Sequence, residues 1–192
     1  MFVRRALALV LAVAWLWPAS LHAQSEAFWE AYNQGQTLYE AGRYEQAIPH
    51  WRKALELGER EFGPDDPTTA TLLNNLAELY RAQGRYEVAE PLYKRALAVW
   101  EKALGPDHPS VATGLNNLAN LYYTQGRYEA AEPLYKRALA VREKALGKGH
   151  PLVAQSLANY AALLRKTGHS VEATKMEARA KAIRARHAKE NP

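Results

Sequence analysis

The 192-residue chain contains no cysteine, which excludes disulfides, a thiolate zinc site and a cysteine nucleophile. Its length and 48% hydrophobic content suit one folded domain. The net charge of +5 resides in Arg4, Arg5 and the stretch after Gly168, while acids and bases cancel in between, so the basic balance is no footprint for nucleic acid.

Taken in order, residues 1–23 read as a secretory leader. Arg4 and Arg5 form a positive start, Ala6 to Trp17 an apolar run, and Pro18 to Ala23 a break with small residues before a cut at Ala23/Gln24. The run is too short to span a bilayer comfortably; an uncleaved N-terminal anchor is the alternative. No Cys follows it, which excludes a bacterial lipoprotein. Export to the periplasm is expected, without membrane contact after cleavage.

Ser25 to Ala41 is the first expected helix, with Ser25 as N-cap and Ala27, Ala31, Gln34, Gly35 and Leu38 as its small or apolar stripe. Gly42 ends it, and Tyr44 to Glu61 follows as the second. Blocks of Gly, Pro, Asp and His then stop and restart the chain, giving helices at Thr68–Gln83, Tyr86–Leu104, Ser110–Gln125, Tyr128–Leu146, Leu152–Thr167 and Ser170–His187. Pro49, Pro91 and Pro133 fall near the start of alternate helices, where a slight bend is expected. No segment alternates with period two. Short Gly-Arg-Tyr connections make paired helices antiparallel neighbours.

Gly42, Gly84, Gly126 and Gly168 are spaced by 42 residues, and the stretch from Gly126 matches that from Gly84 at about two thirds of positions. A fixed period of this length marks stacked repeats. The division expected is a first helix at 24–41, a repeat array at 42–167 and a capping helix with its tail at 168–192. Where Tyr93 and Tyr135 would recur, Glu177 stands, a polar residue suited to a solvated end.

Leu115, Leu118-Ala119, Tyr122, Gly126-Arg127-Tyr128, Ala131, Tyr135 and Ala138 resemble the tetratricopeptide repeat, as do Leu76-Ala77, Tyr80, Gly84-Arg85-Tyr86, Ala89, Tyr93 and Ala96. The period exceeds the ordinary 34 residues and, with Ala-Glu-Pro-Leu-Tyr-Lys-Arg-Ala-Leu, is similar to the long repeats of kinesin light chains. The resemblance implies an all-α, right-handed solenoid of about four hairpins and eight antiparallel helices. It implies a scaffold or adaptor for a protein or peptide ligand, not an enzyme.

In such repeats the first helix of each hairpin lines a concave groove. That places Trp29, Tyr32 and Tyr39 there, then Asn74, Glu78 and Arg81, then Asn116, Asn120 and Tyr123, and finally Arg165. Asn74, Asn116 and Asn120 are the favoured contacts, because an amide both donates and accepts and so can read the backbone of an extended peptide. Asn75, Asn117 and Asn159, one position along, are expected to bond across helices. The Trp29, Tyr32 and Tyr39 patch either anchors a partner or closes the core.

His108 and His150 precede prolines one period apart and lack companion ligands, so they read as loop caps and not as a metal site. No phosphate loop or nucleophile motif occurs, and no cofactor, metal or nucleic acid is expected. The basic last helix, with Lys175, Arg179 and Arg186, reads as a solubilising cap more than a membrane-surface helix. A self-associating homo-oligomeric unit and an accessory subunit of an envelope enzyme are the alternatives to the adaptor.

Overall fold

Apolar and small residues at helical spacing, divided by Gly and Pro, produce helices throughout the computed structural model, which describes residues 26–190. The expected leader and the Ser25 cap lie outside those residues. Among the described residues there are eight helices and no strand: α1 at 26–40, α2 Tyr44–Glu61, α3 Pro67–Ala82, α4 Tyr86–Leu104, α5 Pro109–Thr124, α6 Tyr128–Leu146, α7 Pro151–Lys166 and α8 Ser170–Glu190.

Helices α3, α5 and α7 begin one residue earlier than expected, with Pro67, Pro109 and Pro151 as first residues. Proline has φ preset for that position and its missing N–H has no partner there in any helix. Asp66 caps α3 by accepting from Thr68 N at 2.7 Å. His108 and His150 do the same through Nδ1, from Ser110 N and Leu152 N at 3.2 Å each, which is the capping role expected of them. Pro49, Pro91 and Pro133 sit inside α2, α4 and α6, which continue through them.

The turn within each hairpin closes on glycine. Gly84 has φ +73°, and the turn is held by Gly84 N to Arg81 O at 2.9 Å and Arg85 N to Tyr80 O at 2.8 Å. Gly126 repeats this with bonds to Tyr123 O and Tyr122 O. Arg85 and Arg127 then fold back over the rings of Tyr80 and Tyr122, 4.6 and 4.1 Å from their centroids.

The chain divides into two compact units, one ending at Pro64 and one starting at Asp65. In the first unit Phe28, Ala31 and Gly35 of α1 are buried with Ala47, Ile48, Trp51 and Ala54 of α2. Phe28 thus takes the inward place expected of Ala27, which is exposed, as is Gln34. Gly35 is required by contact: a Cβ there would lie 1.9 Å from Trp51 Cδ1.

The second unit stacks three hairpins, α3–α4, α5–α6 and α7–α8, with α4 against α5 and α6 against α7. Alanines at the crossings (Ala77, Ala89, Ala96, and their counterparts in the next two hairpins) are fully or almost fully buried. Small side chains there let helix axes approach at the short end of about 8–10 Å. Outside, Arg137 pairs with Glu101 at 2.5 Å and Arg179 with Glu143, one period apart, tying each second helix to the next. On α8 this sequence of contacts stops. Glu177, Lys181 and Arg184 stand where α4 has Tyr93, Leu97 and Trp100. Lys181 and Arg184 are exposed, whereas Tyr93 and Trp100 are buried.

Candidate functional site

The first helices of the second unit stand side by side, α3 beside α5 and α5 beside α7, so each 42-residue period continues a row of side chains across their common face. Three rows decide what that face offers.

The first row corrects an expectation. Asn74 and Asn116 are buried, 7% and 2% exposed, and their amide oxygens are already taken. Asn117 Nδ2 donates to Asn74 Oδ1 at 3.0 Å, and Asn159 Nδ2 donates to Asn116 Oδ1 at 3.1 Å. Each bond joins one hairpin to the next, so the amides form a ladder between repeats, and Asn117 and Asn159 do bond across helices as expected. A buried amide must find a partner, and the nearest one lies on the adjacent helix. Asn75 differs, accepting from Asn74 Nδ2 on its own helix at a long 3.4 Å. The ladder ends where Ala158 replaces the accepting asparagine.

The second row holds Glu78, Asn120 and Ala162. Glu78 accepts from the Tyr93 hydroxyl at 2.5 Å and from Arg81, with Nε at 3.0 Å and Nη2 closer. Burial works against its charge, but the Arg81 and Tyr93 donors outweigh it and hold the carboxyl below the usual range. Asn120 is half-buried, and its Oδ1 accepts from the Tyr135 hydroxyl at 2.6 Å. Tyr93 and Tyr135, members of the repeat signature, thus also serve as hydrogen-bond donors to this row. Their recurrence fifteen residues after Glu78 and Asn120 was the available signal of pairing.

The third row is Arg81, Tyr123 and Arg165. Arg81 is committed to Glu78, and its Glu78 partner holds its guanidinium above the usual arginine range. Tyr123 leans on Tyr128, rings 5.6 Å apart at 46°. Arg165 is engaged with Glu177, at 2.6 Å from Nε and 2.5 Å from Nη2. Both arginines therefore carry local counter-charges, and the face is close to neutral.

Trp29, Tyr32 and Tyr39 belong to the other unit, on α1. Trp29 is 53% exposed and edge-on to Phe28 at 4.9 Å and Tyr32 at 5.8 Å. Tyr32 also packs toward Trp51, and Tyr39 toward Tyr44. Among the described residues no group of three or more His, Asp or Glu side chains is placed to hold a metal ion. No helix among them is long and apolar enough to cross a membrane.

A tetratricopeptide-repeat family profile matches residues 28–102, 68–144 and 110–186. No curated protein sequence matches the chain significantly. Among solved structures, BtubC (BKLC) from P. vanneervenii is similar at 29% identity and a TM-score of 0.73, over 82% of this chain and 63% of that one. The chain thus spans less than two thirds of that relative. A Podosopora anserina putative kinesin light chain with nearly identical TPR-like repeats has 22% identity and a TM-score of 0.70, covering 84% and 76%. MamA, at 18% identity and a TM-score of 0.62, covers 90% and 86% and shares the fold. Such folds generally mediate protein–protein interaction and are generally non-catalytic. With all-α hairpins, a 42-residue period and matched repeats over most of its length, the chain belongs to the tetratricopeptide-repeat family.

Proposed function

We propose that the face of α3, α5 and α7 holds an extended segment of a partner protein, and that the chain is an adaptor of the cell envelope. The observation that carries this reading is the accessible, near-neutral polar row around Asn120 and Tyr123, bordered by charged pairs that are already matched. Such a row can bind main chain without demanding a particular sequence. The leader-like residues 1–23 support an exported, periplasmic destination.

A photo-crosslinking residue at Tyr123, with Ala140 on the exposed side of α6 as control, tests it in the native host. A discrete foreign protein captured at Tyr123 and not at Ala140 is expected. Equal labelling at both positions refutes the groove assignment.

A second reading is self-association through the aromatic end of α1, favoured by the exposure of Trp29 beside Phe28, which is itself edge-on to the exposed Phe62. Only this reading predicts a solution size that grows with concentration and reverts in Trp29→Ala.

A further inference from the structure

Resting on the groove reading above, we infer that Tyr135 is a positioning residue that fixes the amide of Asn120 donor-outward, so that the ligand atom held there is a hydrogen-bond acceptor, namely a main-chain carbonyl. Tyr135 is 2% exposed and cannot give its hydroxyl hydrogen to water. Its acceptor is Asn120 Oδ1 at 2.6 Å, a separation that suits O–H···O and is short for N–H···O. Burial pushes the phenol above its usual range, so it keeps that proton. An amide whose oxygen is committed has only its nitrogen left to offer, and that nitrogen has no partner among the described residues.

One period earlier the same device gives the opposite result. Tyr93 donates to Glu78, whose other oxygen is filled by Arg81, so the second row offers nothing free on α3. On α7 the row is Ala162. Donation from this row is therefore confined to α5. Arg81 of the neighbouring row is already paired with Glu78, so it is not left as an unmatched cation, which favours a neutral carbonyl over a carboxylate.

The probe is a peptide selected from a displayed library of random unstructured sequences on the wild-type protein, with variants checked for unchanged helicity and melting. Asn120→Asp keeps an acceptor for Tyr135 but removes the outward donor, and should weaken binding about 10-fold or more. Tyr135→Phe should weaken it about 3-fold or more, because the amide is freed to turn. Since Tyr135 acts only through Asn120, Tyr135→Phe should cost nothing further on the Asn120→Asp background; a merely structural role would cost the same on both. Binding should survive replacement of every Asp and Glu in the peptide by Asn and Gln.

Peptides that need Tyr123 but ignore Asn120→Asp overturn this inference alone. Loss of binding on neutralising the peptide's acids overturns the carbonyl assignment. Selected peptides indifferent to Tyr123→Ala, or no peptide at all, overturn the groove reading and this inference with it.

Discussion

Two joints of the array are nearly the same in sequence but opposite in chemistry, and exchanging one for the other has a calculable outcome. At α4/α5 the Trp100 indole is 4% exposed, donates to Pro67 O at 3.3 Å and lies against Gly114, where an added Cβ would come within 3.1 Å of Cζ3. At α6/α7, one period on, the same places hold Arg142 and Ser156. Arg142 is 3% exposed. Its Nη1 donates to Leu152 O at 2.9 Å, Gln155 Oε1 at 3.1 Å and Ser156 Oγ at 3.0 Å, but Nε is buried without a partner among the described residues. Desolvation holds this guanidinium below the usual arginine range.

A tryptophan buries about 200 Å², worth ~5 kcal/mol at about 25 cal/mol/Å². The arginine stem recovers roughly half of that, while its charge adds a desolvation cost of several kcal/mol that hydrogen bonds only partly offset. Arg142→Trp with Ser156→Gly should therefore stabilise the protein by about 1–3 kcal/mol, raising Tm by ~2–4 °C per kcal/mol. Arg142→Trp alone should destabilise by about 1–3 kcal/mol, because Ser156 occupies the space glycine leaves for the indole. Ser156→Gly alone loses a hydrogen bond and helix propensity, together ~1–2 kcal/mol. Urea unfolding of the four proteins reads the cycle at constant m-value. A double variant at or below the wild-type midpoint, or strict additivity of the two singles, refutes the reasoning.

Three further outcomes follow from named contacts. Gly35→Ala drives a methyl into Trp51 and should destabilise the α1–α2 hairpin by ~3 kcal/mol or more, seen in Trp fluorescence and the urea midpoint; a change under about 0.5 kcal/mol would show that the ring has room to move. Asn117→Ala and Asn159→Ala each cut one rung of the amide ladder and should cost about 1–2 kcal/mol, since the accepting amide stays buried; no change in urea midpoint would mean the rungs are incidental. Burial raises the pKa of Glu90, but donors from Lys94, Arg127 and Tyr122 overcome it and bring the carboxyl from 4.5 to about 2. A depressed carboxylate stabilises the fold above its unfolded pKa and loses that contribution as pH falls toward the folded value. Melting temperature should thus fall between 4.5 and about 2, less steeply in Glu90→Gln; identical profiles would refute the assignment.

The sequence by itself determined the helices, their pairing and the repeat, because these rest on local chemistry. Gly84 and Gly126 close turns that need a positive φ, Pro67, Pro109 and Pro151 start helices, and alanines recur wherever helices cross. The change on α8 was also legible, in Glu177 at a position that earlier hairpins fill with tyrosine. Which asparagine stays accessible was not. Asn74, Asn116 and Asn120 lie on one helical face by spacing, and only the packing of the next hairpin buries the first two and leaves the third accessible. Part of the charge balance of this face was hidden for the same reason. Arg81 pairs with Glu78 three residues back on its own helix, which spacing alone allows, but Arg165 finds Glu177 only when folding brings a neighbouring helix to it. Periodicity tells which side of a helix a residue occupies, while the partner waiting there belongs to another part of the chain and exists only in the tertiary structure.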